Sequence, residues 1–340
     1  MASKRVTMAD IARELGISKN AVSLALRKKP GIGDALRQRV LDTAAKMRYE
    51  DARQAKIRGC ILALIPQGLT IGESNTFYQQ VCFHMESYAK EQGFQLIISS
   101  VSEAEEEAAR PPALLGGIDC MGLMTVSNLS RPYCKMISGL GLRYVMVDQY
   151  YDTLVANCVT TANASGAYQL TEHLIENGHR KIQYFGMRFR TASLNDRWVG
   201  YSCAMSDHGL PELRNPYTWR QDTAKVDELA AIREAIDALD EMPTAFVCGH
   251  DRTARSVMEV LAQRGIRCPE DVSVVGFDNI QTPDVLALNL TTYQTPKVNI
   301  ARSSIDLMLD TENRLPRRIL IFGEMIHRDS VRDIRKSASS

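Results

Sequence analysis

Apolar residues along positions 6–26, VTMADIARELGISKNAVSLAL, recur twice at helical spacing with a break between the two runs. Met8, Ile11, Ala12 and Leu15 fall at i, i+3, i+4 and i+7, the inner stripe of one short helix. Thr7 can cap its start, because a hydroxyl accepts one of the backbone N–H groups that the first turn leaves unpaired. Gly16 stops it, since glycine adopts the left-handed conformation that a helix end often needs. Ser18 then caps a second helix, which turns Ala21, Val22, Ala25 and Leu26 inward and Lys19, Asn20 and Ser23 outward. A third stripe, Leu36, Val40, Ala44 and Met47, allows three helices to close a small core. This is the layout of a helix-turn-helix, in which the N-terminal residues of the second helix meet base edges in a major groove. The plain alternative is a helical hairpin without a DNA role.

From residue 60 the pattern changes to short apolar runs alternating with helical stretches. CILALIP (60–66) precedes a helix over 76–92, and QLIISS (95–100) precedes one over 103–115. CMGLMTV (120–126) and YVMVD (144–148) continue the series. A second series holds helix 163–177, KIQYFG (181–186), helices 194–208 and 226–240, AFVCG (245–249), helix 252–264 and VSVVGF (272–277). Near-continuous apolar strands alternating with helices predict parallel sheets covered on both faces, here as two doubly wound lobes. Ligands of such folds bind beyond the carboxyl ends of the strands. Asp148, Asp251 and Asp278 stand there.

Charge divides the chain in the same place. Residues 1–58 carry 14 Lys and Arg against 6 Asp and Glu, whereas the remainder carries 27 against 34. A basic head on an acidic body suits a phosphate backbone, where counterion release drives binding. The 340 residues are enough for two or three domains. No apolar run reaches the ~18–20 residues of a membrane span. The charged, helical start argues against a secretory signal, so a cytoplasmic, nucleoid-associated protein is expected. Eight cysteines are scattered without metal-ligand spacing and sit mostly in apolar runs, which reads as reduced thiols and no metal site. A nucleophile elbow, a P-loop and a GxGxxG turn are all missing from the sequence, so neither an enzyme nor a cofactor is expected.

The segment VTMADIARELGISKNAVSLAL, followed by RQRVLDTAAKMRY, resembles the DNA-binding head of the lactose-repressor (LacI/GalR) family of bacterial transcription regulators. GHRKIQYFG (178–186), RWVGY (197–201), PEDVSVVGFDNI (269–280) and LTTYQTP (290–296) extend the resemblance over nearly the whole chain. It implies a helix-turn-helix domain (1–50), a hinge (51–58), a periplasmic-binding-protein-like core (59–332) and a tail (333–340). Within the core, lobe one would take 59–161 and 292–322, and lobe two 162–291 and 323–332, the chain crossing three times. The implied partners are operator DNA, a second copy of the chain and a small effector, a sugar or sugar derivative.

The resemblance also distributes roles. Lys19 and Asn20 become base readers. Leu24 stands where many members carry a guanine-pairing Arg, and leucine offers only apolar contact, for example to a thymine methyl. Thr7, Ser18, Ser23, Arg27 and Lys28 become phosphate contacts, which position the head without specifying sequence. Arg197 and Asp278 match effector contacts, against the plainer readings of a lobe-bridging Arg and a turn Asp. Asp148 is the counterpart from lobe one. Phe77 lies where the family places an aromatic at the cleft mouth. Trp219 is a stacking face for a sugar, or core. His250 replaces a common Asn before Asp251, and its plain reading is a satisfied neutral imidazole. Ala162 replaces a frequent Asp, with Asn163 beside it in keeping with the family. The hinge departs too: Asp51 and Ala52 replace Pro and Asn, and two readings stand, a helix over 51–57 with Ile57 as a minor-groove wedge, or a connector. A solute-binding protein without a DNA role is the alternative function, one that lacks a reason for the basic head.

Overall fold

The computed structural model describes residues 6–26, 29–47, 49, 57–69, 76–188, 190–217, 227–312 and 315–335. The chain forms two compact units, residues 1–58 and 59–340. Arg27, Lys28, Trp219 and hinge positions 51–56 fall outside the described residues.

In the first unit, α1 (Met8–Leu15), α2 (Lys19–Leu26) and α3 (Asp34–Lys46) bury Ile11, Ala12, Val22, Ala25, Val40 and Ala44 together. Thr7 and Asp10 form a capping box: the Thr7 hydroxyl accepts the Asp10 N–H at 3.4 Å, and the Asp10 carboxylate accepts the Thr7 N–H at 2.8 Å. Gly16 closes α1 at φ 64°. The Ser18 hydroxyl accepts the Ala21 N–H at 3.1 Å and starts α2. Arg37 of α3 donates to the carbonyl of Leu24 (3.4 Å), which also accepts the Lys29 N–H (3.0 Å), and to that of Lys29 (2.9 Å), so a cation sits just past the end of α2.

The second unit holds two sheets. In lobe one the chain runs β1 (Cys60–Pro66), α4 (Thr76–Glu91), β2 (Gln95–Val101), α5 (Glu103–Glu107), β3 (Cys120–Val126), α6 (Arg131–Ser138), β4 (Arg143–Val147) and β5 (Asn157–Thr161). It crosses at Ala162 to lobe two, with α7 (Asn163–Glu176), β6 (Ile182–Phe185), α8 (Ala192–Asp207), α9 (Glu228–Asp237), β7 (Ala245–Cys248), α10 (Asp251–Gln263), β8 (Ser273–Phe277), α11 (Pro283–Leu286) and β9 (Thr291–Gln294). It returns to lobe one for α12 (Lys297–Leu309) and β10 (Arg318–Ile321), then ends in lobe two with β11 (Glu324–Ile326). The sheets have the orders β10-β5-β4-β3-β1-β2 and β11-β9-β8-β7-β6. All neighbours are parallel except β11, an antiparallel edge on β9.

The apolar runs are continuous because each sheet is covered twice. Along β1, Ile61, Ala63 and Ile65 pack against α4 and α12, while Leu62 and Leu64 pack against α6. In lobe two, Gly200 of α8 lets the backbones of α7 and α8 touch: a Cβ added there would lie 2.0 Å from the Ala164 carbonyl oxygen.

Three expectations change. The helix over 103–115 stops at Glu107, because Ala109 takes φ 44° and Pro111 follows Arg110, a position where proline disfavours helix in the residue before it. β9 pairs with β8, so the second crossing falls at Thr295–Pro296 rather than at residue 292. The last strand is antiparallel to β9: the chain leaves β10 in one sheet and reaches the edge of the other through two residues, Phe322 and Gly323.

Candidate functional site

The two sheets present equivalent turns to each other. Asp148 follows β4 at φ 56°, with its N–H on the Val159 carbonyl at 2.8 Å. Asp278 follows β8 at φ 102°, with its N–H on the Tyr293 carbonyl at 2.8 Å. Left-handed backbone at a non-glycine residue costs ~1–3 kcal/mol and persists where the surroundings enforce it. Here the next strand in each sheet does so.

Arg197, on the inner face of α8, gathers the lobe-two side. Its Nε donates to Asn163 Oδ1 (2.8 Å), Nη1 to the Gly249 carbonyl (2.7 Å) and Nη2 to Asp278 Oδ1 (3.0 Å). The Phe277 ring lies 3.8 Å from its guanidinium carbon. The Arg197 side chain is buried, at 7% exposure, and that of Asp278 is largely so, at 15%. Burial opposes the Asp278 charge, yet the Arg197 guanidinium and, after it, the Lys297 ammonium hold its pKa below the ordinary carboxylate range. Thr295 donates to Asp278 Oδ1 (3.0 Å) and Lys297 to the Asp278 carbonyl (3.1 Å). The Lys297 ammonium also sits 5.2 Å from the centre of the Phe77 ring.

Asp148 is less well supplied. Tyr78 donates to its Oδ2 at 2.9 Å, whereas Oδ1 is buried with no hydrogen-bond partner among the described residues. Burial pushes its pKa up to about 6 against the pull of Arg197. Between the lobes, the Tyr150 hydroxyl donates to Asp196 Oδ1 (2.6 Å) and Arg318 to Asp196 Oδ2 (3.3 Å), with the Arg318 guanidinium 3.3 Å from the Tyr150 ring centre.

Phe77, Asp148, Arg197 and Asp278 thus converge between the lobes. Asp251 does not join them. It is 1% exposed, and its oxygens accept the Ile280 N–H (2.7 Å) and the Thr292 hydroxyl (2.6 Å), so it braces the loop after β8 against β9. Burial raises its pKa to about 7. His250 caps α10 by accepting the Thr253 N–H on Nδ1 (3.1 Å), which requires a neutral ring, and burial lowers its pKa accordingly. Tyr78, Thr295, Lys297 and Asp196 were not singled out by the sequence; only the adjacency of Tyr78 to Phe77 at a helix start could have signalled one of them.

In the head, Lys19 and Asn20 are exposed on the first turn of α2, as is Ser18. Ser23 and Leu24 are half-buried. The Thr7 hydroxyl donates to Asp10 at 2.7 Å as well as accepting its N–H, so the capping box engages it in both directions. Ile57 is 63% exposed.

A helical DNA-binding-type head followed by two ligand-cleft lobes defines a regulator whose core is built like a periplasmic binding protein. The periplasmic binding protein-like domain model matches residues 171–331. The HTH-type transcriptional repressor PurR of Vibrio cholerae serotype O1 (strain M66-2) is 27% identical over 336 residues, 97% of this chain and 99% of that one. PurR of Glaesserella parasuis serovar 5 (strain SH0165) is 24% identical over 344 residues, 96% and 99% of the two chains. Among solved structures, a CelR–cellobiose complex aligns with TM-score 0.71 at 22% identity, covering 96% of this chain and all 100% of that one. A lac repressor dimer bound to operator and the anti-inducer ONPF aligns with TM-score 0.67 at 19% identity, covering 97% and 100%. Over nearly its whole length the chain is thus similar to HTH-type transcriptional repressors, and it shares the fold of the lac repressor.

Proposed function

We propose that this regulator is a cytoplasmic repressor that binds a pseudo-palindromic operator as a homodimer and is controlled by a small hydroxylated ligand, a sugar or sugar derivative, held between the lobes. The observation that carries the ligand reading is Asp148 Oδ1, a buried acceptor without a donor among the described residues. Leaving such an atom unpaired costs ~1–3 kcal/mol, and more when it is charged. A ligand hydroxyl would remove that cost, with Phe77 offering an apolar face and Arg197 and Asp278 the opposite wall. In the head, Lys19, Asn20 and Leu24 would face base edges, and Thr7, Ser18, Ser23, Arg27 and Lys28 would meet phosphates, with Ile57 as the candidate wedge. A dimer would set the two heads on two half-sites. The ligand would act through its differential affinity for two lobe arrangements.

The test is retention of genomic fragments by the purified full chain, sequenced to find a common site, followed by titration of sugars and purines against the retained duplex. A palindrome whose retention changes with a sugar supports the reading. Fragments with no common site would sink the operator part, and a purine effect without any sugar effect would replace the ligand class.

A further inference from the structure

Two cysteines stand side by side where the core begins, and neither belongs to the site above. In the ladder between β1 and β3, Cys60 is the register partner of Cys120, the end pair of the ladder, set off from Ile61–Gly122 by a bulge at Met121. Adjacent strands lie ~4.7–4.9 Å apart, inside the ~4.4–6.8 Å between Cα atoms that a disulfide spans. The side chains share a face. Cys60 has the parity of Leu62 and Leu64, which pack in the cluster containing Tyr133 and Ile137, and Cys120 packs against that same cluster. Both thiols are free and part-exposed, whereas Cys82, Cys134, Cys158 and Cys248 are buried. Their present contacts are weak backbone ones, Cys60 to the Ile61 carbonyl at 3.8 Å and Cys120 to the Gly122 carbonyl at 2.9 Å. Burial first and the Cys120 sulfur second raise the Cys60 pKa, which requires the two sulfurs to be within electrostatic reach.

We infer that Cys60 and Cys120 form a reversible disulfide when the protein meets a peroxide. One thiolate attacks a peroxide oxygen, giving a sulfenic acid and, after protonation of the leaving hydroxide, water. The second thiolate attacks the sulfenic sulfur and releases a second hydroxide, protonated to water. Two thiols and one hydrogen peroxide become one disulfide and two waters. In a reducing compartment such a bond is transient and sensing rather than structural. Cys60 is two residues past Arg58, the last residue of the N-terminal unit, so the bond ties the entry of the core to its own sheet. The inference does not depend on the ligand or operator proposed above.

The experiment treats the full chain carrying Cys203→Ser, which removes the one exposed cysteine, with hydrogen peroxide, then alkylates, digests and maps peptides by mass spectrometry. The expected result is a Cys60–Cys120 cross-linked peptide pair, loss of two thiols per chain, and full recovery with dithiothreitol. Cys60→Ser and Cys120→Ser, each checked for native circular dichroism, should abolish the cross-link separately. Sulfenic or sulfinic acid at these positions without a cross-link would overturn the inference. So would a Cys248–Cys268 cross-link in its place, or thiols that remain unreacted.

Discussion

Removing the Arg197 side chain should strand a buried charge. Arg197→Ala deletes the donors to Asn163, Gly249 and Asp278, leaving Asp278 with Thr295 as its side-chain partner and Lys297 on its carbonyl. The pair is 7% and 15% exposed, so solvent screens little of the loss. Breaking one half of a buried ion pair costs ~3–5 kcal/mol, chiefly because the surviving charge stays uncompensated. Asp278→Ala in the same chain removes that charge, so the double variant should be more stable than the sum of the two single losses by ~2 kcal/mol or more. Both tryptophans, Trp198 and Trp219, lie in the core unit, so urea unfolding followed by tryptophan fluorescence of the full chain reports this unit without the head. The Arg197→Ala loss should also shrink as pH falls, since burial without the guanidinium favours the protonated Asp278. An Arg197→Ala midpoint equivalent to less than ~1 kcal/mol, or strict additivity with Asp278→Ala, would refute the assignment of this pair as the buried electrostatic centre.

Asp148 has a folded pKa of about 6 against an ordinary 3.8, so it binds its proton more tightly when folded, and its contribution to stability declines as pH rises through that window. Asp148→Asn should remove this decline, measured as a flatter dependence of thermal midpoint on pH between those values. Arg37→Ala should destabilise the head alone by ~0.5–1.5 kcal/mol through loss of its bonds to the Leu24 and Lys29 carbonyls, read by hydrogen exchange of α2 with exchange of the core unchanged. Gly200→Ala should push α7 from α8 and cost more than ~2 kcal/mol, since the added carbon meets the Ala164 carbonyl oxygen at 2.0 Å and backbone cannot yield cheaply. A native fluorescence midpoint in that variant would contradict the close packing.

Periodicity made most of the architecture readable before any coordinates. The stripes at Ile11, Val22 and Val40 and the runs at 60–66, 120–126 and 272–277 match the described elements closely, because burial on one stripe or on both sheet faces writes itself into composition. The polar strands NCVTT (157–161) and TTYQ (291–294) leave weaker traces: their threonines are buried by tertiary contacts, which no local pattern encodes. At the candidate site, strand-end position picked out Asp148 and Asp278, which the fold brings to facing turns. The same rule misassigned Asp251, since position cannot tell a carboxylate facing the cleft from one absorbed by Ile280 and Thr292 beneath it. Tyr78 and Lys297 emerged only when α4 and α12, over 200 residues apart in sequence, met in lobe one.

The tie from Tyr150 and Arg318 to Asp196 is built entirely from the protein's own atoms. Under the proposed two-arrangement mechanism it would enter the balance between them as a fixed offset, set before any ligand arrives. Inverting a 1:99 population takes a differential affinity of about ten-thousand-fold, or about 5.5 kcal/mol, and the offset decides how much of that the ligand must bring. Specificity and threshold thus reside in different side chains. If the proposed ligand binds there, Asp148, Arg197 and Asp278 would choose what is recognised, while Asp196 would set the concentration at which recognition has an effect, so that dose could be retuned without changing the ligand.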